Sequence, residues 1–175
     1  GTTAELTDAL VTASKLVVAS NGSAAVIFDA GDDPSGAELA AINPKVGGNI
    51  TLANNAQTFT GSAEDMQAAF NGGLQGTQTG NVTISDTSGN IAATTLTDIT
   101  SETNGTVTAA SSGITITGTS TELTAALVTA ETKAVMANGD VTITDTGTVD
   151  ATVLSGIGNI TGCLLYTSPS PRDLK

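Results

Sequence analysis

The chain lacks the side chains that most enzyme mechanisms use. It contains no histidine and no tryptophan, and only one cysteine and one tyrosine among its 175 residues. Histidine and cysteine supply many of the general bases, nucleophiles and zinc ligands of enzymes. Their near-absence leads us to expect a protein that is not an enzyme and that needs no cofactor, with calcium as the one ion to consider.

Basic side chains and long apolar runs are also scarce. Five Lys and Arg residues stand against 17 Asp and Glu residues, so the formal net charge is −12 at pH 7. Neutralising phosphates requires clustered Lys and Arg, so we expect no nucleic-acid partner. No segment approaches the roughly 18 apolar residues that a spanning helix needs, so we expect no membrane span.

The end of the chain differs in composition from the rest. Residues 163–173 contain the only cysteine, the only tyrosine, the only arginine and two of the four prolines. These residues, Cys163 to Asp173, resemble the translation of a transposon-type sequencing adapter that has been read into an open reading frame. We therefore interpret residues 163–175 as a non-native tail, and residues 1–162 as a fragment of a longer chain.

Residues 1–162 contain an internal repeat. The segment Gly1–Ala13 recurs as Gly118–Ala130, and a degenerate copy occupies Gly61–Phe70. Farther along each unit, Asn81–Thr87 recurs as Asp140–Thr146. The repeat predicts units that start near residues 1, 61 and 118, of which the last is cut short. A period of this kind is typical of repeat proteins whose units stack on one another.

Each unit divides again at regularly spaced apolar residues. Six apolar anchors recur at intervals of about 30 residues, and each has a second apolar residue three or four positions later. This spacing places both residues on one face of a helix, so six short helices are expected. The six anchors are Leu6, Leu39, Met66, Leu96, Leu123 and Leu154.

Local signals support an alternation of helices and strands. Thr2 with Glu5 and Thr119 with Glu122 have the spacing of a helix capping box. Ile114–Thr117 and Val141–Thr144 alternate apolar residues with threonine, as half-buried strands do. We therefore predict an α/β solenoid of about six coils of roughly 29 residues, with parallel strands stacked and short helices on one side. An all-β sandwich of an adhesin type is the competing interpretation.

Two groups of polar residues are candidate sites. Asp29, Asp32 and Asp33 form the densest acidic cluster, in a glycine-containing turn whose oxygens suit calcium. The alternative is a solvated turn that assists the next helix. Two other acids, Asp86 and Asp145, stand just before a predicted helix, where an Asx-turn or capping role is expected.

The outward threonines of the strands form the second candidate site. With the coils in register, Thr115 and Thr117 would stack beside Thr142 and Thr144 in two flat ranks. Such ranks resemble the ice-binding face of some β-solenoid antifreeze proteins. The alternative is that threonine simply suits exposed strand faces.

The repeat motifs resemble a known kind of protein. Gly-Thr-x-x-Glu-Leu, as in Gly118–Leu123, alternates with Val-Thr-Ile-(Ser/Thr)-Asp-Thr, as in Val82–Thr87. This alternation is similar to repeats of very large secreted or cell-surface, adhesin-like proteins of marine bacteria and cyanobacteria, over residues 1–162. The resemblance implies an extracellular, non-catalytic structural or adhesive spacer. Its partners would be neighbouring repeats of the same chain and cell-surface or matrix components. An ice-binding or calcium-binding β-solenoid segment is the alternative function.

Overall fold

The structure is a computed structural model that describes residues 1–12, 25–129, 134–136 and 138–161. The segment interpreted as a non-native tail, residues 163–175, lies outside the described residues. None of the described helices is both long enough and apolar enough to cross a membrane.

Helices form at all six positions that the apolar spacing predicts. They begin about 30 residues apart, and consecutive helices pack against each other along the chain. Asn43–Lys45 adds one turn of 3-10 helix after the second helix, and Thr124–Val128 continues the fifth as a π-helical turn. The helices are α1 (Thr3–Leu10), α2 (Gly36–Ile42), α3 (Ala63–Phe70), α4 (Ala93–Ser101), α5 (Ser120–Leu123) and α6 (Ala151–Thr161).

Short strands lie between the helices, and every pairing between the described strands is parallel. The strands are β1 (Val26–Ile27), β2 (Ile50–Thr51), β3 (Phe59–Gly61), β4 (Val82–Ile84), β5 (Gly89–Ala92), β6 (Val107–Thr108), β7 (Ile114–Gly118), β8 (Ala134–Val135) and β9 (Asp140–Ile143). They form sheets in the orders β1-β2, β3-β4-β6-β8 and β5-β7-β9. The described chain is therefore α/β with parallel sheets, and the all-β sandwich is wrong because sandwiches of that type pair antiparallel strands.

Paired strands are separated by nearly constant distances along the chain. Val82 pairs with Val107, and Val107 pairs in turn with Ala134. In every described pair of strands the partners lie about 25 residues apart, a regular interval of the kind that stacked repeats produce.

One continuous core joins the helices to the sheets. Four of the six predicted anchors are completely buried, namely Leu39, Met66, Leu96 and Leu123. The other two, Leu6 and Leu154, are half-buried because they belong to the first and last described helices, which each have a neighbouring described helix on one side only. Inward residues of the strands complete the core, which is mainly aliphatic and includes three buried phenylalanines, Phe28, Phe59 and Phe70.

The backbone approaches itself very closely at two glycines. A Cβ atom added to Gly80 would lie 1.6 Å from the carbonyl oxygen of Gln57, and one added to Gly105 would lie 2.0 Å from the carbonyl oxygen of Gly80. Both glycines precede strands of the four-stranded sheet. A residue with a side chain therefore does not fit at Gly80 or Gly105, because the neighbouring backbone occupies the place of its Cβ atom.

Candidate functional site

Polar side chains concentrate at the first residues of the helices. Thr2, Ser35 and Thr119 each cap a helix in a complete capping box, with Glu5, Glu38 and Glu122 as the reciprocal partners. The two boxes predicted from the sequence are thus confirmed. The box at Ser35 was missed, although its Ser-x-x-Glu spacing was a sufficient signal. Ser62 caps α3 by accepting a hydrogen bond from the Asp65 amide at 3.1 Å.

A second set of carboxylates reaches these helix starts from farther along the chain. The Ala63 amide, at the start of α3, donates to Asp86 Oδ2 at 2.7 Å. Asp145 likewise accepts from the Ser120 amide at 2.5 Å and from its hydroxyl at 3.1 Å, at the start of α5. A carboxylate at a helix N-terminus satisfies a free amide and interacts favourably with the helix dipole.

Asp32 provides the same contact at α1, where it accepts hydrogen bonds from the amide and the hydroxyl of Thr3.

The capping role predicted for Asp86 and Asp145 needs a correction. Both lie before the next helix, as expected, but they cap a helix that begins 23 to 25 residues earlier. Local spacing cannot reveal such a contact, because the two partners meet only after the chain has returned to the same place.

Acidic side chains of the Asp29–Asp33 turn do not converge on one point. Asp29 lies 3.1 Å from the N-terminal ammonium group, and Asp32 binds Thr3. Asp33 instead accepts a hydrogen bond from Asn54 Nδ2 at 3.5 Å. Within the described residues, no group of three or more acidic, histidine or cysteine side chains is arranged to hold a metal ion. The three carboxylates of Asp29, Asp32 and Asp33 thus have separate partners, and the calcium site predicted from them stays a prediction.

The threonine ranks also differ from the expected register. Thr117 pairs with Thr142, but Thr115 lies opposite Asp140, and Thr144 follows the end of β9. The strands are thus shifted by two positions relative to the predicted alignment. The ice-binding hypothesis stays a prediction. The threonine pairs that the sequence predicts, Thr115 beside Thr142 and Thr117 beside Thr144, are not formed in the structure.

An open depression of about 580 Å³ lies between the C-terminal ends of α2 and α3 and is lined by glycines, asparagines and small apolar residues, with no ionisable side chain. A smaller one, of about 170 Å³, is lined by Asp98 and Glu102. Elsewhere, the hydroxyl and the amide of Thr152 donate to Asp150 and hold the pKa of its carboxyl below the usual value. That carboxylate is fully exposed, and its hydrogen bonds are those of a helix start rather than of a reactive site.

Removing one of the long-range caps should destabilise the protein. We expect Asp86→Ala to lower the free energy of unfolding by about 1–2 kcal/mol, because the Ala63 amide loses a charged acceptor in a partly buried place. Urea denaturation measures the change. The control Glu102→Ala removes an exposed carboxylate at the end of α4 and should change the stability by less than about 0.5 kcal/mol. Equal losses in both variants would contradict the capping role.

Comparison with known proteins adds no relative. No protein-family model, curated protein or solved structure matches this chain.

Proposed function

We propose that residues 1–162 form a non-catalytic structural or adhesive spacer of a large extracellular bacterial surface protein. The observation that carries this proposal is the parallel pairing of each strand with one that lies a nearly constant interval farther along the chain. Such pairing makes each segment contact mainly the segments immediately before and after it. A protein built in this way gains length by adding units, and a spacer needs that property.

The proposed architecture is a solenoid of about six coils, with each helix opening one coil. Helix starts at residues 3, 36, 63, 93, 120 and 151 give coils that alternate between longer and shorter forms. The longer coils are the ones whose helices receive the carboxylates of Asp32, Asp86 and Asp145. This alternation supports a structural unit of two coils, which corresponds to the sequence repeat whose units start near residues 1, 61 and 118.

Surface charge supports a role as an extended, non-associating segment. A net charge of −12 keeps molecules apart, which suits a long rod with an apolar core. Many acidic side chains of the described residues have a structural use. Their carboxylates cap helices, either from the same helix or from a segment 23 to 25 residues farther along the chain. The extracellular location and the bacterial surface context rest on the resemblance of the repeat motifs.

Deleting one complete unit tests the proposal. Removal of residues 61–117 joins Thr60 to Gly118 and recreates the sequence Thr-Gly-Thr in place of Thr-Gly-Ser. We expect the shortened chain to keep its circular dichroism spectrum and to unfold cooperatively. Small-angle scattering should show a maximum dimension shorter by about 10 Å, which is the spacing of two stacked strands.

A matched control distinguishes unit deletion from simple shortening. Removal of residues 75–117 takes away 43 residues, which is not a whole unit, and joins Leu74 in the middle of one unit to Gly118 at the start of the next. This variant should unfold or aggregate because strands and caps no longer meet their partners. If both deletions unfold the chain, the molecule behaves as one indivisible domain and the spacer proposal is wrong.

A further inference from the structure

The first and fifth helices have nearly the same sequence but different neighbours. Gly1–Ala13 and Gly118–Ala130 are identical at ten of 13 positions. With its π-helical turn, α5 packs against both α4 and α6, whereas the one described helix in substantial contact with α1 is α2. The helix α2 follows α1 as α6 follows α5, so the side of α1 that corresponds to the α4-facing side of α5 has no described helix on it.

Burial differs between the two copies as these neighbours require. Leu6 and Ala9 of α1 are half-buried. Their counterparts in the fifth helix, Leu123 and Ala126, are completely buried. Identical side chains in equivalent helices are therefore covered in one place by α4 and left partly open in the other.

The last described helix is the counterpart of α4. The pattern Ala-Thr-x-Leu-x-x-Ile of residues 93–99 recurs at residues 151–157. Leu154 of α6 is half-buried, whereas its counterpart Leu96 is completely buried. No charged residue lies within α6, although each of α1–α5 contains at least one. The free side of α6 thus has the apolar positions with which α4 packs on α5, and it has no charge of its own.

Exposed apolar residues lie in the same two parts of the molecule. Among the described residues, the large apolar side chains that are exposed are Ile27, Val135 and Ile160. Ile27 lies in β1, next to α1 in the chain, and Val135 and Ile160 lie in β8 and α6. Both β1 and β8 are edge strands of their sheets. Free strand edges and exposed apolar side chains at the end of a stack are surfaces on which a further unit can pack.

We propose that the α6 end of one molecule (α6 and β8) packs on the α1 end of a second molecule (α1 and β1), as α4 packs on α5 within the chain. The contact joins two different surfaces, so it does not close and adds molecules in a row. One helix and one strand edge present a small face, so we expect a weak contact with a Kd of about 100 µM. The proposal rests on the packing of the helices and not on the spacer function.

Sedimentation equilibrium of the whole chain tests the contact. The net charge of −12 keeps molecules apart at low ionic strength, so the measurement is made in about 0.5 M NaCl, which largely screens that repulsion. At about ten times the Kd, the weight-average mass should exceed twice the monomer mass of 17.1 kDa. A mass that stays at the monomer value would overturn the proposal. A mass that levels off at the dimer would also overturn it, because it marks a closed contact between two like ends.

Lysine substitutions test the two surfaces separately. Ala9→Lys changes α1 and Ser155→Lys changes α6, where Ser155 is exposed but its counterpart Thr97 is half-buried. Both variants should stay monomeric, although lysine reduces the net negative charge and with it the general repulsion. The matched control is Ala4→Lys, because its counterpart Thr121 stays exposed between α4 and α6. This control should associate like the unmodified chain.

An equimolar mixture of the two monomeric variants identifies which ends meet. Ala9→Lys retains an unchanged α6 end and Ser155→Lys an unchanged α1 end, so the mixture should form dimers and grow no further. Unchanged circular dichroism spectra show that each variant is folded. A mixture that stays monomeric, or equal association of Ala9→Lys and Ala4→Lys, would overturn the proposal.

Discussion

Replacement of Leu96 by alanine should lower the free energy of unfolding by about 3 kcal/mol, and the Tm by roughly 6–12 °C. Leu96 is completely buried in α4, between helices that pack on it from both sides along the chain. Alanine leaves a cavity where the Leu96 side chain was packed. Chemical denaturation with the slope held common to both proteins measures the loss.

Leu6→Ala is the matched control for this substitution. Leu6 occupies the equivalent anchor position of α1 but is only half-buried. It therefore loses less contact and leaves no closed cavity, so we expect less than half of the effect seen at Leu96. If the two variants lose the same stability, the anchors do not contribute according to their burial, and a continuous core through the middle helices is wrong.

Gly80→Ala should destabilise the chain by about 3 kcal/mol, although the change adds a single methyl group. The new Cβ atom would lie 1.6 Å from one backbone oxygen and 2.5 Å from the carbonyl carbon of the same residue, Gln57. Side chains can rotate away from a clash, but these are main-chain atoms of a neighbouring segment. The two segments must therefore separate, and the pairing of Phe59 with Val82 is lost or distorted.

Gly147→Ala provides the control for backbone substitutions. Nothing lies within 4 Å of a Cβ atom at Gly147, and the residue is exposed. Alanine there should change the stability by less than about 1 kcal/mol. Gly105→Ala should behave like Gly80→Ala, because its Cβ atom would lie 2.0 Å from the Gly80 oxygen. A mild effect at both Gly80 and Gly105 would show that the adjoining segments are not packed this closely in solution.

Local features of this fold could be predicted from local sequence. The six helices, their apolar faces and two of the three complete capping boxes follow from residues three or four positions apart. Such spacings describe contacts within one helical turn, so no other part of the chain is needed to interpret them. The strands Ile114–Gly118 and Asp140–Ile143 were found in the same way, from alternation of apolar residues with threonine.

Strand register could not be predicted, and the reason lies in the strand pattern itself. A Thr-Ile-Thr sequence looks the same after a shift of two positions, because side chains alternate with a period of two. The pattern therefore allows Thr115 to be placed opposite Thr142, whereas in the structure Thr115 lies opposite Asp140. Sequence similarity did not predict which sheet a strand joins. Val82–Ile84 belongs to the four-stranded sheet, whereas its counterpart in the repeat, within Asp140–Ile143, belongs to the three-stranded sheet.

The sequence by itself determined the α/β composition, the positions of the helices and the shortage of catalytic side chains. Only the tertiary structure decided which carboxylate caps which helix and where backbones touch. Asp86 meets Ala63, Gly80 meets Gln57, and Gln57 meets Pro34 across 23 residues of chain in each of the three cases. These contacts form only when the chain has turned back on itself, so their partners are set by the path of the backbone rather than by neighbouring residues.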